Sequence, residues 1–112
     1  MSYGLAESVI EGILGVFSHY PQIEQAVLYG SRAKGSYRQG SDIDLTLVGG
    51  EDLTPTLLTK VIDDLDDLLL PYAIDLSLLR NISDAAVLDH IRRVGVVVYQ
   101  KDGNDDRLIA ND

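Results

Sequence analysis

Apolar residues recur at helical spacing towards both ends of the chain. From Leu5 to Phe17 they fall every three or four positions, which predicts helix 1 over residues 3–19, ended before Pro21. Another helical pattern follows Ser83, a residue typical of helix caps, and stops at Gly95. We therefore expect helix 1 at the start of the fold and helix 4 towards its end.

The longest amphipathic stripe lies in the middle of the sequence. Thr54 can cap a helix with its side chain, and Pro55 fits the first helical position because it lacks an N–H group. Leucine, valine and isoleucine then line one face as far as Leu69, while the DDLDDL run that starts at residue 63 places its aspartates towards the other. This pattern predicts helix 3, ended by Pro71, with a solvated acidic face that could also dock a basic partner.

Four short runs are typical of strands, and a short helix is expected to begin at Ser31. The runs cover residues 25–29, 42–48, 72–78 and 96–99. Strands that alternate with helices on this small scale predict an α/β (α+β) domain, in which a small mixed β-sheet is flanked by helices.

Composition places the chain among globular proteins. Its 112 residues, 46% apolar and 24% charged, fit one small domain, which we assign to residues 1–100, followed by a polar C-terminal tail over residues 101–112 that we expect to be loosely ordered. Cysteine is absent, which excludes disulfides and thiolate metal sites. No apolar run reaches the ~18 residues of a membrane helix, and no signal-peptide pattern opens the sequence, so we expect a cytoplasmic protein without membrane contact.

Net charge narrows the choice of partner. The formal charge is −9, from 18 acidic and 9 basic residues. Such a surface repels a phosphate backbone, because nucleic-acid binders gain affinity from Lys and Arg that displace counterions. We therefore expect no direct grip on DNA or RNA, and we favour a basic protein or a cationic small molecule as the partner.

The most informative segment is LYGSRAKGSYRQGSDIDLTL, residues 28–47. Gly30 and Ser31 stand between strand 1 and the short helix, where glycine permits close approach of a ligand and free N–H groups attract phosphate. Arg32, Lys34 and Arg38 follow and are candidates to clamp phosphates, although each could equally be a solvated surface charge. A Gly-Ser pair by itself is more often a plain turn.

Two aspartates follow the Gly-Ser pair after ten intervening residues. Asp42 and Asp44 are two positions apart on strand 2, so both carboxylates are expected on one face, about 6.6 Å apart along the strand. That spacing suits two divalent cations about 3.5 to 4 Å apart, and carboxylate oxygens favour Mg²⁺ or Mn²⁺. The alternative, two exposed aspartates on an edge strand, needs a reason for the like charges to be tolerated.

A third carboxylate, Asp75, interrupts the apolar run of strand 3. A charge in the middle of a strand is costly unless it is paired, metal-bound or facing water at a sheet edge. If strand 3 pairs with strand 2, Asp75 joins Asp42 and Asp44 on the same face. The three carboxylates would then form a site that metal ions stabilise.

The two histidines, His19 and His90, are far apart in the sequence and show no zinc-ligand pattern. We place His90 with Arg92 and Arg93 in the last turn of helix 4, where positive charge complements the helix dipole. Neither histidine is therefore expected in the site.

The Gly-Ser pair and the three aspartates resemble the minimal nucleotidyltransferase (MNT) family of the DNA polymerase β-like superfamily, whose hallmark is Gly-Ser, ten residues, Asp-x-Asp and a later third carboxylate. The order of elements also resembles the minimal nucleotidyltransferase fold over nearly the whole chain. The resemblance implies that Asp42 and Asp44 bind two metal ions. It further implies that Asp75 binds the catalytic metal and helps to activate the attacking hydroxyl, and that Gly30 and Ser31 hold the triphosphate.

Short members of this family resemble MntA-type antitoxins. The resemblance therefore implies a partner, a HepT-type toxin, which is a helical ribonuclease of the HEPN family that can be silenced by adenylylation of a tyrosine. We accordingly expect a metal-dependent nucleotidyltransferase that moves AMP from ATP, with Mg²⁺, to a tyrosine of such a toxin in a toxin–antitoxin pair. Asp75 would take or steer the proton of the acceptor hydroxyl while pyrophosphate leaves.

Two other functions stay open. One is nucleotidyl transfer to a small molecule such as an aminoglycoside, which the acidic surface would suit. Enzymes of that kind usually carry a second helical domain, for which we expect no room in 112 residues. The other is an antitoxin that acts by binding alone, against which the intact set of three aspartates weighs.

Overall fold

Helices and strands alternate along residues 3–101, the part of the chain that the computed structural model describes. The elements are α1 Glu7–Ser18, β1 Ile23–Tyr29, α2 Gly30–Lys34, β2 Ile43–Gly49, α3 Pro55–Asp66, β3 Ile74–Leu78, a 3-10 turn Leu79–Asn81, α4 Ala85–Val94 and β4 Val96–Gln100. The predicted order of helices and strands is confirmed.

The four strands form one mixed sheet in the order β3-β2-β1-β4. β1 lies in the middle and is antiparallel to both β2 and β4. β3 is parallel to β2, which the intervening helix α3 makes possible, because parallel neighbours need a crossover connection. The predicted α/β fold with a small mixed sheet is therefore confirmed.

Alternation along β2 separates the hydrophobic core from the other face of the sheet. Ile43, Leu45 and Leu47 are buried in the core. Asp44 and Thr46, which lie between them, point to the opposite face because successive strand residues alternate. Side chains of α1 and α3 cover the core face, and the buried cluster consists of Leu5, Ile13, Phe17, Ile23, Ala26, Leu28, Ile43, Leu45, Leu47, Leu53, Val61, Leu65, Leu76 and Leu78.

Helix α1 begins later than its apolar pattern predicts. The helix starts at Glu7, not at residue 3, because Tyr3 and Gly4 adopt φ angles of 54° and 77°. Those angles belong to the left-handed region, which cannot continue an α-helix of L-residues. The carbonyl of Tyr3 instead accepts a hydrogen bond from Arg32, so the N-terminal segment serves a contact far along the chain.

Two further helix boundaries differ from the prediction. Helix α3 ends at Asp66 and not at Pro71, and Leu69 in the connection has a φ of 56°. Helix α4 is capped by Asp84 and not by Ser83, since the Asp84 carboxylate accepts hydrogen bonds from the first-turn amides. Aspartate satisfies those free N–H groups and also carries the negative charge that a helix start favours.

Strand boundaries shift by one or two residues from the predicted ones. β1 begins at Ile23, β2 covers Ile43–Gly49, β3 begins at Ile74, and β4 extends to Gln100. The expected polar tail lies outside the described residues except for Lys101, whose N–H donates to the carbonyl of Glu24. None of the helices within residues 3–101 has the length and apolar character needed to cross a bilayer.

Candidate active site

The Gly-Ser pair occupies the turn from β1 into α2. Gly30 has a φ of +75°, a conformation that glycine adopts without strain. A Cβ atom at this position would collide with the Asp44 carboxylate, so the backbone of the turn lies directly against that side chain. The turn and the carboxylate thus form one continuous surface. The φ angle favours glycine, and a larger residue would also have to displace the Asp44 carboxylate.

Three strands place one row of side chains across the polar face of the sheet. In the β1–β2 pair Tyr29 is the partner of Asp44, and in the β2–β3 pair Asp44 is the partner of Asp75. Asp44 is half-buried, whereas Asp75 is exposed because β3 is an edge strand. The sequence predicts that these aspartates lie close together if strand 3 pairs with strand 2. That pairing is present.

Asp42 lies just outside β2. It is exposed and immediately precedes the first strand residue, Ile43, so the predicted start of strand 2 at this aspartate is wrong by one residue. Its charge still acts on its neighbour, since it is one cause of the raised pKa of the Asp44 carboxyl.

The pKa of Asp44 is raised above its ordinary value. The largest cause is burial, and the negative charges of Asp75 and then Asp42 add to it. A positive charge on His90, present only when its imidazole is protonated, would lower the pKa of Asp44, and this is the last of the causes. The structure thus brings negative charges together where the protein itself supplies little compensation.

This arrangement suits a hard divalent cation. Within residues 3–101, the Asp, Glu and His side chains form no group of three already converged on a metal position. The donor chemistry nevertheless fits Mg²⁺ or Mn²⁺, because Asp42, Asp44 and Asp75 offer only carboxylate oxygens and the charge on Asp44 is disfavoured without a cation. These three residues are the ones that would hold it.

Arg32 is fixed inside the protein. Its side chain is 1% exposed, and its guanidinium donates to the backbone carbonyls of Ser41, Gln39 and Tyr3. The rings of Tyr37 and Tyr72 lie 5.4 Å and 5.0 Å from the guanidinium carbon. These contacts connect α2 to the loop before β2 and to the N-terminal segment, so Arg32 stabilises the backbone around the site. Its predicted contact with phosphate stays a prediction.

Lys34 and Arg38 differ from Arg32 in being exposed. Lys34 is the last residue of α2, which Gly35 closes with a φ of +93°. The N–H of Arg38 donates to the hydroxyl of Ser41, which orders the backbone of the loop and leaves the charged end of Arg38 in solvent. The charged side chains of Lys34 and Arg38 are therefore accessible to a ligand from solution.

His90 lies beside the Gly-Ser turn, a position that the sequence did not indicate. The N–H of Gly30 donates to His90 Nε2 at 3.1 Å, across 60 residues of sequence. The imidazole also packs edge-on against Tyr29, with ring centroids 6.3 Å apart. No spacing rule connects two such distant segments, and only the packing of α4 against α2 and β1 brings them together.

Hydroxyl groups line the polar face next to the carboxylates. Ser77 Oγ donates to Thr46 Oγ1 at 2.9 Å, and Thr46 is fully buried. Burial raises the pKa of the Tyr29 hydroxyl, as do the nearby carboxylates, while a hydrogen bond with Ser77 lowers it. Tyr29 therefore keeps its proton at neutral pH and remains available as a donor.

Comparison with protein families identifies the family of the chain. The family profile described as "Polymerase beta, Nucleotidyltransferase" matches residues 11–104, which include the Gly-Ser turn and all three aspartates. The chain belongs to this family. It is therefore a nucleotidyltransferase, as the Gly-Ser and Asp-x-Asp spacing predicted, and proteins of this family generally use a nucleoside triphosphate and divalent metal ions.

Solved structures show the same fold. A toxin–antitoxin crystal structure with AMP-PNP contains a chain that is 21% identical, with a TM-score of 0.65 over 96% of this chain and 83% of that one. A chain from the complex of the tri-AMPylated HEPN toxin of Shewanella oneidensis with its MNT antitoxin is 18% identical, with a TM-score of 0.62 over 89% and 76%. A chain of an MntA–HepT structure is 17% identical, with a TM-score of 0.62 over 95% and 82%.

These identities are low, so the solved structures establish the fold of this nucleotidyltransferase and no more. Among curated proteins, none matches the sequence closely enough to count as a relative.

Proposed function

We propose that this nucleotidyltransferase is the antitoxin of a toxin–antitoxin pair and transfers AMP from ATP to a tyrosine hydroxyl of a HepT-type toxin of the HEPN family. The observation that carries the proposal is that the Gly30 turn lies directly against the Asp44 carboxylate. We predict that the turn holds the triphosphate and that the carboxylate holds the metal. The solved toxin–antitoxin structures of the same fold support the choice of partner.

Each part of the site has a distinct task. Gly30 and Ser31 contact the triphosphate, with exposed Lys34 and Arg38 as further phosphate ligands. Asp42, Asp44 and Asp75 hold the divalent ions, two Mg²⁺ or Mn²⁺. When bound, such ions neutralise the negative charge that develops on a reacting phosphoryl group.

The reaction forms one bond and breaks one. The tyrosine oxygen of the toxin attacks the α-phosphorus of ATP, and the bond from that phosphorus to the bridging oxygen of pyrophosphate breaks. The phenolic proton leaves to Asp75, which is exposed at the sheet edge and can pass the proton to water. Because Asp75 is accessible from solution, it can meet an acceptor carried by another protein.

The open side of the site favours a protein acceptor. The row of side chains Tyr29, Asp44 and Asp75 runs from the half-buried middle of the sheet to its exposed edge. A partner that docks at this edge would bring its tyrosine to Asp75 and cover the site against water. The chain carries a formal charge of −9, which favours a basic docking surface on the partner over a nucleic acid.

Thermal unfolding tests the nucleotide site. We would measure the melting temperature with ATP and Mg²⁺, each alone and together, for the wild type and for Asp42→Ala/Asp44→Ala. A ligand at one hundred times its Kd stabilises the folded state by about 2.7 kcal/mol. A shift that needs both ATP and Mg²⁺ and is lost in the double variant supports the site, whereas a wild type that does not respond, even with the toxin present, contradicts it.

Labelling tests the acceptor. In one reaction the chain is incubated with Mg²⁺, ATP radiolabelled at the α-phosphate and a HepT-type toxin, and in a second reaction an aminoglycoside replaces the toxin. Transfer to that protein that disappears with a Tyr→Phe change in the acceptor supports the proposal. Labelled aminoglycosides without labelled protein would indicate the small-molecule reaction. Neutralisation of the toxin in cells by Asp42→Ala would indicate an antitoxin that acts by binding alone.

A further inference from the structure

His90 connects helix α4 to the Gly-Ser turn through a single hydrogen bond. Its Nε2 atom accepts the N–H of Gly30 at 3.1 Å. An imidazole that accepts at Nε2 is neutral and carries its proton on Nδ1. The side chain is half-buried, and its ring is held against Tyr29, the last residue of β1.

The helix that carries His90 is itself well fixed. Asp84 caps its first turn, and Ile91, the residue after His90, is 8% exposed and buried beneath the helix. Gly95 closes the helix with its N–H bonded to the carbonyl of Ile91. Because the burial of Ile91 and the packing of α4 against α2 and β1 fix the helix, its position determines where the His90 acceptor lies.

The backbone conformation of Gly30 depends on contacts with other residues more than that of most residues does. Glycine has the largest backbone freedom, and its φ of +75° is one of several conformations that are similarly accessible to it. The Asp44 carboxylate limits the turn on one side. The hydrogen bond to His90 fixes the orientation of the Tyr29–Gly30 peptide, to which this N–H belongs, and so restrains the turn from its other side.

We propose that His90 is a positioning residue of the nucleotide site. It accepts the Gly30 N–H, holds the Gly30–Ser31 turn in the conformation that meets the triphosphate, and does not itself touch the nucleotide. This role rests on the proposed function, because it assumes that the turn binds a nucleoside triphosphate. It also makes α4 part of the machinery that sets nucleotide affinity.

The role predicts a specific pattern among variants. In His90→Ala the Gly30 peptide is released to water and must be ordered again when the nucleotide binds. The loss of one such hydrogen bond corresponds to about fivefold weaker binding. His90→Gln can present an amide oxygen close to the position of Nε2, so it is expected to restore affinity to within about twofold of the wild type.

The experiment measures two quantities on the full chain. Calorimetry gives the Kd of α,β-methylene-ATP with Mg²⁺ for the wild type, His90→Ala, His90→Gln and the matched control Arg92→Ala, an exposed residue on the same helix. Hydrogen exchange by NMR gives the protection of the Gly30 amide without nucleotide. We expect faster exchange and weaker binding in His90→Ala, rescue of affinity by His90→Gln, and wild-type behaviour in Arg92→Ala.

Each result decides between the two proposals. A wild type that binds nucleotide, with His90→Ala binding equally well or keeping Gly30 protected, overturns the role of His90 alone. Equal weakening in His90→Ala and His90→Gln also overturns it, because the acceptor atom would then not matter. A wild type that does not bind nucleotide, either alone or with the toxin present, overturns the proposed function and the role of His90 with it, even if the Gly30 exchange confirms the hydrogen bond.

Discussion

Asp44 on β2 and Asp75 on β3 are direct partners across a parallel pair of strands. Adjacent strands lie about 4.8 Å apart, so two carboxylates on the same face of such a pair repel each other. The half-buried position of Asp44 makes this repulsion costlier and raises the pKa of that carboxyl. The sheet therefore holds an arrangement of charge that a bound divalent cation relieves.

Replacing Asp44 by Asn is expected to stabilise the metal-free protein at neutral pH. The pKa of the folded-state carboxyl lies above its ordinary value of 3.8, so above that pH the folded state binds more protons than the unfolded state, and stability falls as pH rises through this window. Asp44→Asn removes the penalty. The gain is expected to be below about 1 kcal/mol, because solvent screens a half-exposed charge.

Urea unfolding in EDTA at several pH values measures this gain. The difference between Asp44→Asn and the wild type is expected to be largest at pH 7 and to shrink towards pH 3.8. Added Mg²⁺ is expected to stabilise the wild type but not the variant. An Asn variant that is less stable than the wild type at pH 7 in EDTA would show that the carboxylate charge is compensated within the protein.

Gly30→Ala is expected to abolish the response to nucleotide and to destabilise the fold. The new Cβ atom meets the Asp44 carboxylate and also strains a backbone with a φ of +75°. Gly35→Ala is the matched control, since Gly35 has a φ of +93° but open space around it. Strain alone costs about 1 to 2 kcal/mol per residue, so both variants lose stability, and the collision with Asp44 adds to the loss at Gly30.

Melting curves with and without ATP and Mg²⁺ compare the two glycine variants. Gly35→Ala is expected to keep the stabilisation by nucleotide, whereas Gly30→Ala loses it. Equal responses in both would mean that the Gly30 turn does not contact the triphosphate.

Arg32→Lys is expected to destabilise the protein although the charge is retained. A lysine cannot reproduce the several hydrogen bonds that the buried guanidinium makes to backbone carbonyls, nor its contact with two tyrosine rings. A hydrogen bond that involves a charged group contributes about 1.5 to 3 kcal/mol. Lys34→Ala, a change at an exposed residue, is expected to leave the free energy of unfolding within about 0.5 kcal/mol of the wild type.

Denaturant unfolding and nucleotide binding, measured together, distinguish the role of Arg32 from that of Lys34. If Arg32 acts only through the fold, partial stabilisation by an osmolyte restores nucleotide binding in Arg32→Lys. If Lys34 binds phosphate, Lys34→Ala weakens nucleotide binding without a change in stability. An Arg32→Lys protein as stable as the wild type would contradict the structural role of the guanidinium.

Asp75→Asn is expected to lower kcat by about a hundredfold or more, since the amide cannot accept the proton of the attacking hydroxyl. The fold is expected to tolerate the change because Asp75 is exposed on an edge strand. Initial rates of AMP transfer to the toxin give kcat and KM, and Asp84→Asn, at the cap of α4, serves as a control for a lost carboxylate elsewhere. Unchanged kcat in Asp75→Asn would remove this residue from the reaction.

Local sequence patterns were sufficient to predict much of the fold. The apolar spacing of α1 and α3, the Thr54-Pro55 helix start and the alternation along β2 all depend on neighbouring residues, so the elements could be predicted in their correct order. The residues at which helices and strands begin and end were harder to predict, because contacts with distant residues determine them. Helix α1 begins at Glu7 because Tyr3 and Gly4 before it adopt left-handed φ angles. The carbonyl of Tyr3 accepts a hydrogen bond from Arg32, a contact that no local pattern encodes.

The sequence by itself determined the family and predicted the site residues, because the spacing of Gly30-Ser31 and Asp42-x-Asp44 is a local property of one strand-turn-helix-strand segment. Only the tertiary structure decided that Asp75 lies opposite Asp44, that Arg32 is buried and that His90 holds Gly30. Strand register and helix docking arise from the burial of the whole apolar surface at once. Contacts between segments tens of residues apart therefore follow from packing and not from spacing along the chain.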